Sequence, residues 1–189
     1  MHNRPMNLML LLVLAAMTSQ ALNGIALSED WSSYQPAHAL GLDEGDWWTV
    51  YPSQHADSGT SVDHPSWVTD ALKKKPVIIL VHSSTCKPCA EQMENLKEPL
   101  ATFGSYLDYY DILGEGSGLE KATEILSVYN PTGGMLYVPT TIFITLIKGP
   151  DGEVQVAWHS QIDAMSVDQI NAYIEDSIYY YQQNAAEWR

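Results

Sequence analysis

The sequence predicts an α/β fold in which a mixed β-sheet is sandwiched by helices, preceded by an irregular N-terminal extension. Three observations carry that expectation. Val77-Ile78-Ile79-Leu80-Val81 is a continuous apolar, largely β-branched run, the pattern of a strand buried on both faces. Strand and helix patterns alternate around it as β-α-β-α and close as β-β-α, an order that layers helices on a sheet. Pro139–Ile147 and Glu153–His159 flank Gly149-Pro150-Asp151-Gly152, turn chemistry that makes the two strands an antiparallel hairpin.

The elements follow in order. Ser66–Lys75 reads as a short helix with Trp67, Ala71 and Leu72 apolar. Lys73, Lys74 and Lys75 complement its C-terminal dipole, and Pro76 stops it. After the Val77–Val81 strand, Ser83-Ser84-Thr85 turns the chain, and a helix is expected from about Cys86 to Glu98. Pro88 falls in its first turn, where an amide donor is unpaired anyway. Tyr109–Leu113 reads as a strand, and Leu119, Ala122, Ile125, Leu126 and Tyr129 recur at helical spacing. The last helix opens on the capping box of Ser166 and Gln169 and carries Val167, Ile170, Ile174, Ile178 and Tyr181 as its apolar stripe.

Three segments are expected: 1–21, a secretory signal or uncleaved anchor; 22–62, an acidic, aromatic extension; and 63–189, the α/β domain. Arg4 precedes an apolar run from Leu8 to Met17, short for a transmembrane helix, and Ser19-Gln20-Ala21 offers a cleavage site. The working compartment is then outside the cytoplasm, secreted or in the cell envelope, where disulfides persist. No Lys or Arg occurs from Leu22 to Leu72, yet Trp31, Tyr34, Trp47, Trp48, Tyr51 and Trp67 do. So many aromatics argue for packing on the domain rather than for a solvated tail, with a short strand expected at Trp47–Tyr51. His38, Asp43, Glu44, Asp46, His55 and His64 fit no metal-loop spacing and read as solvated surface residues.

Composition excludes several functions. With 189 residues, 46 % of them hydrophobic, the chain can bury a core. Nine Lys and Arg against 23 Asp and Glu give a formal net charge of −14, which opposes binding to nucleic acid or an anionic membrane. Two cysteines cannot make a multi-bridge framework.

Those two are Cys86 and Cys89, in Cys86-Lys87-Pro88-Cys89. At this spacing, on the first turn of a helix, they can close a small disulfide or open to a dithiol. Unpaired amide donors and the positive end of the dipole stabilise a thiolate at Cys86, and Lys87 adds a nearby cation. Cys89 lies one turn further in and should be more buried. Cys86 then attacks a partner disulfide, and Cys89 resolves the mixed disulfide. An inert bridge, or half of a zinc site recruiting His82 or His159, is the competing reading; no second ligand pair with zinc spacing exists.

The strand Pro76–Val81, Cys86-Lys87-Pro88-Cys89 opening a helix, and Val138-Pro139-Thr140 opening a later strand together resemble the thioredoxin superfamily. The resemblance covers roughly Asp63 to Gln183. It implies a thioredoxin-like fold, protein thiol–disulfide oxidoreductase activity and no organic cofactor, the Cys86–Cys89 disulfide being the redox group. It also implies that Pro139 is a cis-proline packed against the cysteine pair, with Val138, Pro139 and Thr140 docking the partner's backbone. Two positions depart from the family. Thr85 stands where a Trp is usual, and Leu80 stands where the preceding strand carries a buried acid that helps move a proton. The missing acid argues against efficient general reductase activity and fits a dedicated extracytoplasmic relative. His82, four residues before Cys86, is the candidate replacement proton acceptor; its other reading is a satisfied histidine closing a buried strand. The expected partners are protein thiol or disulfide clients and a membrane-borne electron donor or acceptor. The alternative function is a non-enzymatic interaction module on the same fold, with the aromatic extension as its surface.

Overall fold

A computed structural model describes residues 31–149 and 151–188. The expected signal segment lies outside them, as do residues 22–30 of the extension and Pro150 of the hairpin turn.

Helix α1 spans Ser66–Leu72 and strand β1 spans Val77–His82. The helix ends before the three lysines because Pro76, lacking an amide hydrogen, cannot extend its ladder. Beyond β1 the structure differs from the single helix that the sequence suggests. Helix α2 covers Lys87–Asn95 and helix α3 covers Lys97–Phe103. Pro99 has no N–H for the Asn95 carbonyl, so the ladder breaks at Leu96, which caps both segments. Strand β2 (Asp108–Leu113), helix α4 (Leu119–Tyr129), strands β3 (Thr140–Lys148) and β4 (Val154–Ile162) and helix α5 (Val167–Asn184) complete the order. The Ser166–Gln169 capping box opens α5.

The sheet runs β2-β1-β3-β4, with β1 parallel to β2 and antiparallel to β3, and β3 antiparallel to β4. Helices cover both faces. Alternation along β1 sends Val77, Ile79 and Val81 into one core with Leu72, Ile125 and Trp158, on the side of α1 and α4. Ile78 and Leu80 enter the other core with Leu96, Phe103, Ile170 and Ile174, on the side of α2, α3 and α5. This is a thioredoxin-like α/β sandwich.

The segment before α1 is folded into both cores. Trp48 and Trp158 of β4 exchange two backbone hydrogen bonds of 2.9 Å, so the expected strand at Trp47–Tyr51 is reduced to single bridges. Neighbouring side chains of extended backbone point oppositely. Accordingly Trp48 fills the core that holds Trp158, Trp47 fills the α5 core, and both are fully buried.

Asp176, in the middle of α5 and fully buried, holds this segment in place. Its carboxylate accepts from the Tyr34 hydroxyl (2.7 Å), the Ala37 amide (2.8 Å), the His38 amide (3.0 Å), His38 Nδ1 (2.8 Å) and Trp47 Nε1 (3.2 Å). Burial pushes this carboxyl up, but the hydrogen bonds outweigh it and hold it below the usual range. His38 stacks on Tyr173 at 3.7 Å, and His159 stacks on Tyr173 at 4.0 Å. His38 and His55 are therefore packed groups, not the solvated ones that their spacing suggests, and His64 reaches the buried Tyr129 hydroxyl at 3.0 Å.

Candidate active site

The turn after β1 delivers the cysteines to the carboxyl end of the sheet. Cys86 is the N-cap residue of α2, in extended backbone, and its Sγ accepts the Cys89 amide hydrogen at 3.1 Å. One of the donors that helix geometry leaves free at this end is thus aimed at the Cys86 sulfur. Pro88, in the first turn of the helix, takes up one position where a donor is not needed. Cys86 and Cys89 are joined by a disulfide with Cα atoms 5.2 Å apart. Cys86 is half-buried and Cys89 is fully buried, while Lys87 and Pro88 are exposed. One cysteine reaches the surface and the other does not.

A second segment closes the site. The Val138–Pro139 peptide bond is cis, and the Val138 carbonyl oxygen lies 3.6 Å from Cys86 Sγ. Pro139 is buried, and its carbonyl accepts from the Asp163 amide at 2.9 Å. Thr140 fixes the entry to β3 by donating its hydroxyl to the Tyr137 carbonyl at 2.7 Å. Asn130 shapes the loop leading in: its amide donates to the Gly134 and Met135 carbonyls, and its oxygen accepts from Thr132. Met135, Leu136 and Tyr137, between that loop and Val138, are exposed.

His82 ends β1 on the face that Leu80 shares, the face covered by α2. Its Nε2 lies 2.6 Å from Asp111 Oδ1 of β2. Leu80 itself is fully buried among apolar side chains.

Three supporting residues escape the sequence reading. Glu115 accepts the Ser84 amide hydrogen at 2.6 Å and the Ser84 hydroxyl at 2.8 Å, tying the cysteine turn to the end of β2. The Ser84 amide and hydroxyl hold the Glu115 carboxyl below the usual range. Gln92, buried one turn beyond Cys89, donates to Thr141 of β3 at 2.8 Å and accepts from the Met165 amide at 2.7 Å. Asp111 faces His82. Each contact joins residues about thirty or more apart, which no local motif encodes; a lone Gln inside an otherwise amphipathic helix is the only trace in the sequence.

No protein-family model matches the chain, and no curated protein matches it. Among solved structures it is similar to chloroplastic thioredoxin z, at 14 % identity and a TM-score of 0.41, over 58 % of this chain and 83 % of that one. A thiol:disulfide interchange protein of the thioredoxin family from Chlorobium tepidum is 16 % identical with a TM-score of 0.42, over 58 % and 84 % of the two chains. Thioredoxin O2 from Arabidopsis thaliana is 19 % identical with a TM-score of 0.38, over 58 % and 82 %. All three are thioredoxin-family proteins.

Proposed function

We propose that the protein is a thiol–disulfide oxidoreductase acting on protein thiols or disulfides outside the cytoplasm, with the Cys86–Cys89 pair as its redox group and no organic cofactor. The observation that carries this reading is Cys86 at the N-cap of α2, half-exposed and receiving an amide hydrogen bond on its sulfur, with Cys89 buried behind it. The extracytoplasmic setting rests on the N-terminal sequence alone, where disulfides can persist.

In the reduced protein the Cys86 thiolate attacks a client disulfide and expels one client sulfur, giving a mixed disulfide. Cys89 then attacks Cys86, re-forms the intramolecular bridge and releases the second client sulfur. Val138 and Pro139 line the approach to Cys86 with main chain, so an extended client segment can be held beside the sulfur, with Thr140 fixing that backbone. Run in reverse, the same steps oxidise a client dithiol. A membrane-borne donor or acceptor of electrons then resets the pair.

The test is chemical. After reduction, Cys86 should alkylate rapidly well below pH 8, and a Cys89→Ser variant should accumulate mixed disulfides with its clients. A Cys86→Ser variant should lose all disulfide exchange. A folded, reduced protein whose Cys86 stays inert sinks the reading. The reduction potential of the pair assigns the direction, near about −270 mV for a reductant and about −120 mV for an oxidant.

A further inference from the structure

Resting on the reading above, we propose that His82 and Asp111 form a proton-transfer pair for the resolving step, with His82 Nδ1 accepting the Cys89 thiol proton and Asp111 positioning the imidazole.

The side chain of His82 is 12 % exposed, and its Nε2 lies 2.6 Å from an Asp111 carboxylate oxygen. An ionised carboxylate only accepts, so Nε2 carries the hydrogen in this contact. That fixes the tautomer of the neutral ring and leaves Nδ1 as its basic atom. Nδ1 is buried and has no hydrogen-bond partner among the described residues. An orphaned buried acceptor costs roughly 1–3 kcal/mol if nothing uses it, and this one belongs to the strand that leads directly into the cysteine turn. By the alternation of β1, His82 shares the face of Leu80, on which α2 packs with Cys89 buried at its first turn. The charged groups around the ring are Asp111 on β2 and Glu115 just after it; Glu115 is engaged by Ser84, which leaves Asp111 as the orienting group. Gln92 and Thr141, also buried behind Cys89, bond each other and the Met165 amide and have no basic atom to offer.

The chemistry balances as follows. The Cys89 S–H proton passes to Nδ1, and the Cys89–Cys86 bond forms as the bond from Cys86 to the client sulfur breaks. The client sulfur leaves as a thiolate and takes a proton from the imidazolium or from water. The cysteine pair has lost two electrons and the client disulfide has gained them. A buried thiol is a poor nucleophile until it is deprotonated, and a positioned base typically contributes on the order of a hundredfold or more to such a step.

Stopped-flow reaction of the reduced full chain with dithiobis-nitrobenzoate separates the two events, because each releases one coloured thiolate. The first release reports Cys86 attack and the second reports Cys89 resolution. In His82→Gln the first phase should stay within about twofold of wild type and the second should slow by roughly a hundredfold near neutral pH. Asp111→Asn, whose amide oxygen can still accept from Nε2, should have a second-phase rate between those of wild type and Asp111→Ala, and Asp111→Glu should restore part of that rate. A second phase unchanged in His82→Gln, or Asp111 variants that slow both phases equally, overturns the proposal and leaves the oxidoreductase reading standing. If the first phase is missing in wild type, it is the oxidoreductase reading that fails.

Discussion

The cysteine end of the sheet and the aromatic segment before α1 are built on opposite principles. At the cysteine end the decisive contact joins residues three apart: Cys86 caps the helix that contains Cys89. The aromatic segment is held by partners 129 to 142 residues away, all converging on one buried carboxylate. Local geometry thus sets the surroundings of the Cys86 sulfur, while long-range satisfaction of buried polar groups creates the shape around it. Chemistry that depends on neighbours in the chain can be read from a motif. A segment that depends on a carboxylate in a distant helix cannot.

The largest expected effect comes from breaking the second principle without touching the first. Asp176→Ala strips Tyr34, His38, Trp47 and the Ala37 amide of their shared acceptor in a buried setting. The cost should be about 3–5 kcal/mol of unfolding free energy, read from urea midpoints. Alkylation of Cys86 in the folded variant should remain within about twofold of wild type. A stability loss below about 1 kcal/mol would mean that the clasp does not hold the segment.

How much could be read beforehand follows the same divide. The strands, the hairpin, the α5 capping box and the paired cysteines at the start of a helix were legible because each is written in a period, a turn dipeptide or a cap within a few residues. The split between α2 and α3 was signalled by Pro99, but helical periodicity up to Glu98 concealed it. The metal-like scatter of His38 and His55 carried no hint of burial, since His38 is fixed by Asp176 on α5 and His55 lies stacked at 4.0 Å on Tyr51 beneath Gly133. Trp47 and Trp48 announced packing by their aromatic character. That they straddle the edge of β4 into two different cores is a consequence of pairing with Trp158, which the sequence does not encode locally.

Acid should loosen the aromatic region next. His159 donates Nδ1–H to the Asp46 carbonyl at 3.0 Å and leaves Nε2 buried without a partner, beside Trp48 and Tyr173. Burial pushes its pKa down to about 3, although the Asp46 carbonyl pulls part of the way back. Burial likewise lowers His64 to about 4. In the unfolded chain both titrate near ~6.5. Above that pH neither group alters stability. Below it the unfolded chain binds protons that the native protein refuses, so stability falls as pH falls. Each group contributes about 1.4 kcal/mol per pH unit, down to about 3 for His159 and about 4 for His64. From pH 6.5 to 5, His159 alone should remove about 2 kcal/mol. His159→Gln should flatten roughly half of the measured slope, and a slope that survives intact in this variant assigns it elsewhere.

The smallest effect is expected where the two regions meet. Gly133 has φ of 67°, a conformation natural to glycine, and a Cβ there would lie 2.7 Å from His55 Nε2. The His55 ring is buried against Tyr51, so it cannot simply swing aside. Gly133→Ala should cost about 1–2 kcal/mol through the left-handed backbone alone. The informative readout is kinetic. Alkylation of Cys86 by a small reagent depends on the start of α2 and should not change. In the proposed reaction, attack on a disulfide within a polypeptide also uses the Val138–Pro139 backbone, five residues beyond Gly133, and should slow several-fold. A variant that alters both reactions equally, or neither, would show that the aromatic segment does not act on the cysteine site through this loop.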